Sequence, residues 1–373
     1  MKKITPVTLI TVAVVLALSL ATFKLNDSLR VPTIFDGKFY NTVPIPKTQI
    51  PYFLKEKREA IPELENWSDS AVLAQFQYTE KLLDESNTTA FLVLRNDTLI
   101  YKKYQNGVKE GEATQIFSVT KVFVTALLGK AIKDGYIPDE NVSVKKYFRD
   151  LKQPQFDSLT LLDLAQMRSG LNYDEYGNLL QTLRFYYKRN LTSAIYNAGF
   201  ETSPGKLFKY KSIDTQILGE CIRKALGKKK IIDYLSETIW NKLGMQDSAY
   251  FAVDSKLTRN LKYYGGLNMS ARDLAKFGIM VMHKGKFNAK QIIPRNWLNY
   301  CALESNRSTS EDKYCLGWYY SEDDAENDIY YAAGFNGQIM LINAGKKVII
   351  IRLGKDKGGV NWYPLLKRLS LQV

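Results

Sequence analysis

Histidine is almost missing: His283 is the only one among 373 residues. Zinc hydrolase sites built on two or three imidazoles are thereby excluded, and a Ser-His-Asp enzyme would have to use this one residue. Cysteine is scarce too. Cys221, Cys301 and Cys315 are too few and too scattered for a disulfide framework or a cysteine zinc site. No Gly-x-Ser-x-Gly elbow is present, which removes the α/β-hydrolase route to a serine nucleophile. The chain has no internal repeats and no low-complexity tract. Neither a metal nor a cofactor is expected.

Acid is in deficit, with 38 Asp and Glu against 52 Lys and Arg, a formal net charge of +14. Such a charge can draw a protein to an anionic envelope, a membrane surface or nucleic acid. The lysines are spread along the chain, however, and the one tight cluster, Lys228-Lys229-Lys230, follows Gly227 at an expected helix end, where cations are favoured anyway. Nucleic acid is therefore not an expected partner. The 45% hydrophobic and 24% charged residues exclude a disordered, collagen-like or multi-span membrane chain. The length allows two or three domains, with ample residues for a core.

Long uncharged runs are few, and one stands out. Lys2 and Lys3 precede an uncharged stretch from Ile4 to Phe23. About twenty residues at the helical rise are enough to span a bilayer core. A positive start and then an apolar run is the pattern of a secretory signal or an uncleaved anchor. Its length leans towards an anchor, while Ser19-Leu20-Ala21 offers small residues for cleavage. Either reading exports the rest, anchored in a membrane or periplasmic or secreted after cleavage. Residues 24–68 hold five of the eleven prolines and read as an extended arm or linker rather than a packed element. Residues 69–373 form the expected main domain.

In that domain, Ala90–Leu94, a polar Arg95-Asn96-Asp97 turn and Thr98–Tyr101 read as a β-hairpin. A helix is expected from Ser118 to about Asp134, stopped by Gly135. Residues 141–259 show mostly helical patterns. The end of the chain returns to strands at Tyr330–Ala332, Gln338–Ile342 and Val348–Arg352, with a last short helix from about Trp362 to Leu369. Strands at both ends with helices between predict an α+β fold: one antiparallel sheet flanked by helices, plus a helical insertion and the N-terminal hydrophobic helix.

The helix from Ser118 carries the chemistry. At 3.6 residues per turn, Ser118, Lys121 and Thr125 share one narrow stripe, and nearly everything else to Gly129 is apolar. A helix apolar almost all round is buried. A buried lysine needs partners or sheds its proton, and beside a serine hydroxyl it can take that proton without histidine. The plainer alternative makes Ser118 a helix N-cap and Lys121 a snorkelling side chain. Ser-x-x-Lys recurs at Ser143, Ser203 and Ser310, but only Ser118 has the buried-helix context.

These residues resemble the penicillin-recognising serine hydrolases, and more narrowly the branch of class C β-lactamases, related esterases and 6-aminohexanoate-dimer hydrolases. Ser118-Val119-Thr120-Lys121 matches the first motif. Leu161–Leu171, ending in Arg168-Ser169-Gly170-Leu171, resembles the segment that usually ends in Thr-Ser-Gly-Leu. Tyr210-Lys211-Ser212, after Pro204-Gly205, resembles the Tyr-x-Asn motif with Ser212 in the place of Asn. Gly265–Gly278 is also close to a family segment. In the third motif, Ala332-Ala333-Gly334, Ala332 replaces the usual basic residue. Lys357-Gly358-Gly359 is a possible substitute beyond the last strand.

The resemblance implies a β-lactamase/transpeptidase-like fold and an acyl-enzyme hydrolase. Ser118 would be the nucleophile, Lys121 its base or the cation that lowers a partner base, and Tyr210 the second proton carrier. The backbone N–H groups of Ser118 and Phe335, beside Gly334, would form the oxyanion hole. Ser212 would face the substrate or, equally, cap the helix that follows it. The substrate would be a small-molecule or peptide-like amide or ester, with weak β-lactamase activity because the third-motif cation is missing. The alternative is a catalytically silent envelope-binding protein of the same fold. His283, before Lys284-Gly285, reads as a helix-end residue.

Overall fold

The structure, a computed structural model, describes residues 31–38, 41–61, 79–298, 313–320 and 328–373. The expected N-terminal hydrophobic helix lies outside the described residues. Among those described, no helix is long and apolar enough to cross a membrane.

Fourteen strands are described. They are β1 (Thr42–Ile45), β2 (Lys55–Glu56), β3 (Thr88–Arg95), β4 (Thr98–Tyr104), β5 (Thr114–Gln115), β6 (Ala249–Ala252) and β7 (Leu267–Met269). After them come β8 (Lys286–Phe287), β9 (Lys290–Gln291), β10 (Lys313–Cys315), β11 (Trp318–Tyr320), β12 (Ile329–Gly334), β13 (Gln338–Asn343) and β14 (Val348–Gly354). The main sheet has eight strands in the order β10-β11-β12-β13-β14-β3-β4-β2, antiparallel except for the β2–β4 pair. Both ends of the chain thus build one sheet, as the strand pattern predicts.

The expected hairpin is β3 and β4, turning through Asn96 and Asp97 with φ of 50° and 62°. Both turn residues belong to the types that tolerate that region. Alternate residues of β3 and β14 point to opposite faces. Leu92, Leu94, Ile349 and Ile351 enter the larger core, while Phe91, Val93, Val348 and Ile350 enter a second core. Each face is covered by a helix, which is why these strands read as unbroken apolar runs. The larger core holds α3 (Ala271–Met282), and the second holds α4 (Trp362–Gln372).

The expected central helix is α1 (Thr120–Lys133), preceded by a 3₁₀ turn over Phe117–Val119, with Gly135 at φ 79° just beyond its end. Its burial is nearly complete, as its composition requires. Thr125 Oγ1 donates to Leu316 O at 2.7 Å, and Trp297 Nε1 donates to Thr125 O at 2.9 Å. A second long helix, α2 (Ser212–Ala225), packs beside α1.

One expectation is corrected. The arm of residues 24–68 is not a free linker in its described part. Ile34 and Ile45 are buried in the larger core, β1 pairs with β6, and β2 pairs with β4. Together β1, β6, β7 and β5 form a second, four-stranded sheet. Prolines did not prevent this, because β1 is an edge strand, where a missing N–H is tolerated.

Candidate active site

Phe117 stands just before the candidate nucleophile with φ 46°, a left-handed conformation that a bulky residue rarely holds. Such strain costs on the order of 1–3 kcal/mol and persists only where the surroundings enforce it. Here Ile116 N is tied to Leu267 O at 3.1 Å on β7. The turn presents Ser118 ahead of α1 rather than inside it. Lys121, one turn on, is 1% exposed. Its Nζ lies 2.9 Å from Ser118 Oγ, 2.7 Å from Tyr264 O and 3.4 Å from Ser212 Oγ. Burial pulls its pKa down to about 8, against the opposing pull of Glu175 and Asp214. Lys121 makes no ion pair among the described residues.

Tyr210 sits above this amine, its ring centroid 5.0 Å from Lys121 Nζ. Burial drives its phenol well above the ordinary value, helped by Tyr314, Tyr176 and Glu175, and only Ser118 works the other way. The neighbouring rings fix it: Tyr176 and Tyr319 stack on it at 5.8 and 6.3 Å, and Tyr314 meets it edge-on at 5.7 Å. The Tyr210 phenol is therefore protonated in the resting site.

Ser212 is not the N-cap that its position before an amphipathic stretch allowed. It is the first residue of α2, with Lys211 as the cap residue. Its N–H donates to Glu175 Oε2 at 2.8 Å and its hydroxyl to Glu175 Oε1 at 2.7 Å. A carboxylate from a distant loop thus caps α2, where the helix dipole favours negative charge. Two residues on, buried Asp214 accepts from Ser169 Oγ at 2.7 Å. Burial lifts Asp214 to about 7.

The end of β12 closes the site. A Cβ on Gly334 would lie 3.2 Å from Ser118 N and 2.6 Å from Ile116 O, so only glycine lets this strand come so near the Ser118 backbone. Asn336 follows at φ 62°, a region asparagine tolerates. The turn is held from several sides. Arg352, fully buried on β14, donates to the carbonyls of Asn336 and Gly337 at 3.0 Å each and to Ser86 O at 2.8 Å. Gln338 Nε2 donates to Phe335 O at 3.1 Å, and Asn336 Nδ2 donates to Pro32 O of the arm at 3.1 Å.

Beside Ser118 opens a cavity of about 210 Å³. Val31, Pro32, Leu179, Leu183, Phe185 and Phe335 give it an apolar lining, and Ser212 and Glu175 lie in its wall. The structure thus brings Ser118, Lys121, Tyr210, Ser212, Gly334 and Phe335 to one place. Ala332 is elsewhere: its side chain is buried in the larger core and offers the cavity nothing. Lys357 is exposed, near Gly337, and does not line the cavity. His283 caps α3 and pairs with Asp97 at 2.8 Å, away from Ser118. Ser143 caps a short 3₁₀ turn by accepting from Lys145 N, and Ser310 lies outside the described residues.

Sequence reasoning missed Glu175, the Tyr264 carbonyl, Pro32 and Arg352. Glu175 and Pro32 reach the site only through tertiary folding. Arg352 did leave a signal, as the lone charge in the otherwise apolar strand Val348–Leu353.

An α+β architecture with a serine just ahead of its central helix and a buried lysine in that helix's first turn is that of the β-lactamase/transpeptidase-like serine hydrolases. The chain belongs to the Beta-lactamase family, whose family model matches residues 77–362. It is 23% identical over 322 residues to the 6-aminohexanoate-dimer hydrolase of Paenarthrobacter ureafaciens, covering 79% of this chain and 80% of that protein. A Bacillus anthracis structure provisionally assigned as a 6-aminohexanoate-dimer hydrolase superposes with TM-score 0.79 at 22% identity, over 92% of this chain and 94% of the other. A class C beta-lactamase superposes with TM-score 0.57 at 17% identity, over 78% and 93%.

Proposed function

We propose that residues 69–373 form an exported hydrolase that cleaves an amide or ester through an acyl-enzyme on Ser118. The observation that carries this reading is a buried lysine, without an ion pair among the described residues, 2.9 Å from Ser118 Oγ. In its neutral form Lys121 takes the Ser118 proton as Oγ attacks the acyl carbon. The N–H groups of Ser118 and Phe335 receive the oxyanion, a type of contact worth about 10²–10³ in turnover. Tyr210 then delivers its proton to the departing nitrogen or oxygen, and the proton on Lys121 replenishes it. Water attacks the acyl-enzyme by the same steps in reverse.

Export, by a signal or an anchor in residues 1–23, is part of the same proposal. The N-terminal residue of the protein recovered from cells separates cleavage from anchoring. The nucleophile is tested by intact mass after incubation with a fluorophosphonate. One adduct on Ser118 in wild type, lost in Ser118→Ala, is expected. An adduct that persists in the variant refutes the assignment, and a wild type that never labels favours the silent binding protein.

A further inference from the structure

The cavity beside Ser118 is apolar apart from a few hydroxyls, and among the described residues Glu175 is the one side chain lining it that carries a formal charge. The described cations around it are committed elsewhere. Lys121 donates to Tyr264 O, Ser118 and Ser212 behind the wall, and Lys211 pairs with Glu201 at 3.3 Å. Lys262 donates to Tyr186 O at 2.6 Å. The position where the family resemblance expects a cation is filled by Ala332, whose side chain faces the core. Asp214, also nearby, adds no positive charge. The acting form of the site, with Lys121 neutral, leaves the Glu175 carboxylate facing the cavity without a counter-charge among the described residues.

We propose that Glu175 sets the charge selectivity of this hydrolase, making its substrates apolar acyl esters or amides that are uncharged or carry an ammonium group, and excluding carboxylates. The inference rests on the Ser118 acyl-enzyme reading. Glu175 is fixed rather than mobile. Both its oxygens are held by Ser212, through the N–H at 2.8 Å and the hydroxyl at 2.7 Å, and each retains a lone pair for a ligand. An ammonium reaching that wall completes a charge-assisted hydrogen bond in an apolar surrounding. A carboxylate there loses hydration and meets a like charge. β-Lactams, which carry a carboxylate, fall in the excluded class.

The test uses three activated esters of equal acyl length, ending in a methyl, an ammonium or a carboxylate group. Wild type should prefer the ammonium over the carboxylate ester by roughly 10- to 100-fold in kcat/KM, the scale of one unscreened charge contact. Glu175→Gln keeps the shape and an acceptor for Ser212 but removes the charge, and it should collapse that ratio to within a few-fold. If Glu175 only caps α2, the variant lowers thermal stability and leaves the ratio unchanged, which overturns the proposal. Wild type that prefers the carboxylate ester overturns it with no variant needed. To separate this from failure of the acyl-enzyme reading, binding of an alkylammonium and an alkylcarboxylate of equal length is measured by calorimetry on Ser118→Ala. Tighter ammonium binding there supports the role of Glu175 even if turnover is never seen, and equal binding refutes it.

Discussion

Lys121 answers two opposed demands at the scale of a single residue. Its amine must be buried to lose its proton, yet three oxygens lie around it. With its pKa near 8, about a tenth of the amine is neutral at pH 7. Turnover should therefore rise with pH through about 8, and kcat/KM measured from pH 6 to 9.5 should show that limb. Lys121→Ala should abolish the limb and lower kcat/KM by about 10²–10⁴, as should loss of the proton donor in Tyr210→Phe. A flat profile in wild type would remove Lys121 as the base. Stability carries the same sign. The unfolded lysine binds its proton up to about 10.5 and the folded one only to about 8, so burial destabilises the fold below pH 8 and the penalty fades as pH rises across that window. Asp214 behaves oppositely. Its folded pKa of about 7, against an ordinary 3.8, makes stability fall as pH rises between those values. Ser118, Lys121 and Tyr210 were legible because each sits in a short local pattern. Glu175 was not, since nothing in its own segment marks which helix end it reaches.

Among the elements, the turn after β12 shows how a fold fixes a backbone conformation beside the site. A buried guanidinium is costly unless hydrogen-bonded. Arg352 spends its donors on the carbonyls of Ser86, Asn336 and Gly337, and its guanidinium lies 4.4 Å from the Trp362 ring. Turning the carbonyls of the 336–337 turn towards Arg352 constrains the peptide planes beside Phe335. The arm adds one tether from the other side, Asn336 to Pro32. Asn336→Ala should lose this tether and strain the left-handed backbone by about 1–2 kcal/mol. Because the proposed oxyanion donor is displaced rather than removed, kcat should fall by about tenfold, well short of the loss of a whole donor, with KM nearly unchanged. Asn336→Gly relieves the strain but not the lost tether, so a kcat defect in both variants assigns the effect to the tether. Full activity in both would show that the turn needs no help from the arm. The strands of this region were legible from their apolar runs. The turn conformation was not, because Arg352 acts on it from a neighbouring strand.

For the whole molecule, the segment that looked least structured turns out to join its parts. Residues 31–38 and 41–56 reach from the cavity wall through the four-stranded sheet to the far edge of the main sheet. Proline spacing suggested a linker because local composition reports backbone preference and not burial. The alternative signal, isolated apolar residues such as Ile34 and Ile45, is too sparse to show a period. Removing residues 1–38 should leave β1, the main sheet and the Ser118–Lys121 pair in place, since β1 begins at Thr42, while β5 loses the bond from Gln115 N to Ile34 O and Tyr186 loses its bond to Asp36. The deletion exposes the pocket left by Ile34, at a cost of about 2 kcal/mol for one fully buried aliphatic side chain. It also removes Val31 and Pro32 from the cavity wall and the partner of Asn336. The truncated enzyme should still label at Ser118. Its kcat should fall by about tenfold at every acyl length through the lost Asn336 tether, while KM rises most for the longest acyl chains, because the missing wall is the apolar one. Kinetics across acyl lengths from two to eight carbons, in full-length and truncated protein, make the comparison. If the arm only packs and does not shape the cavity, KM rises equally at every length or not at all, while the loss in denaturation midpoint remains.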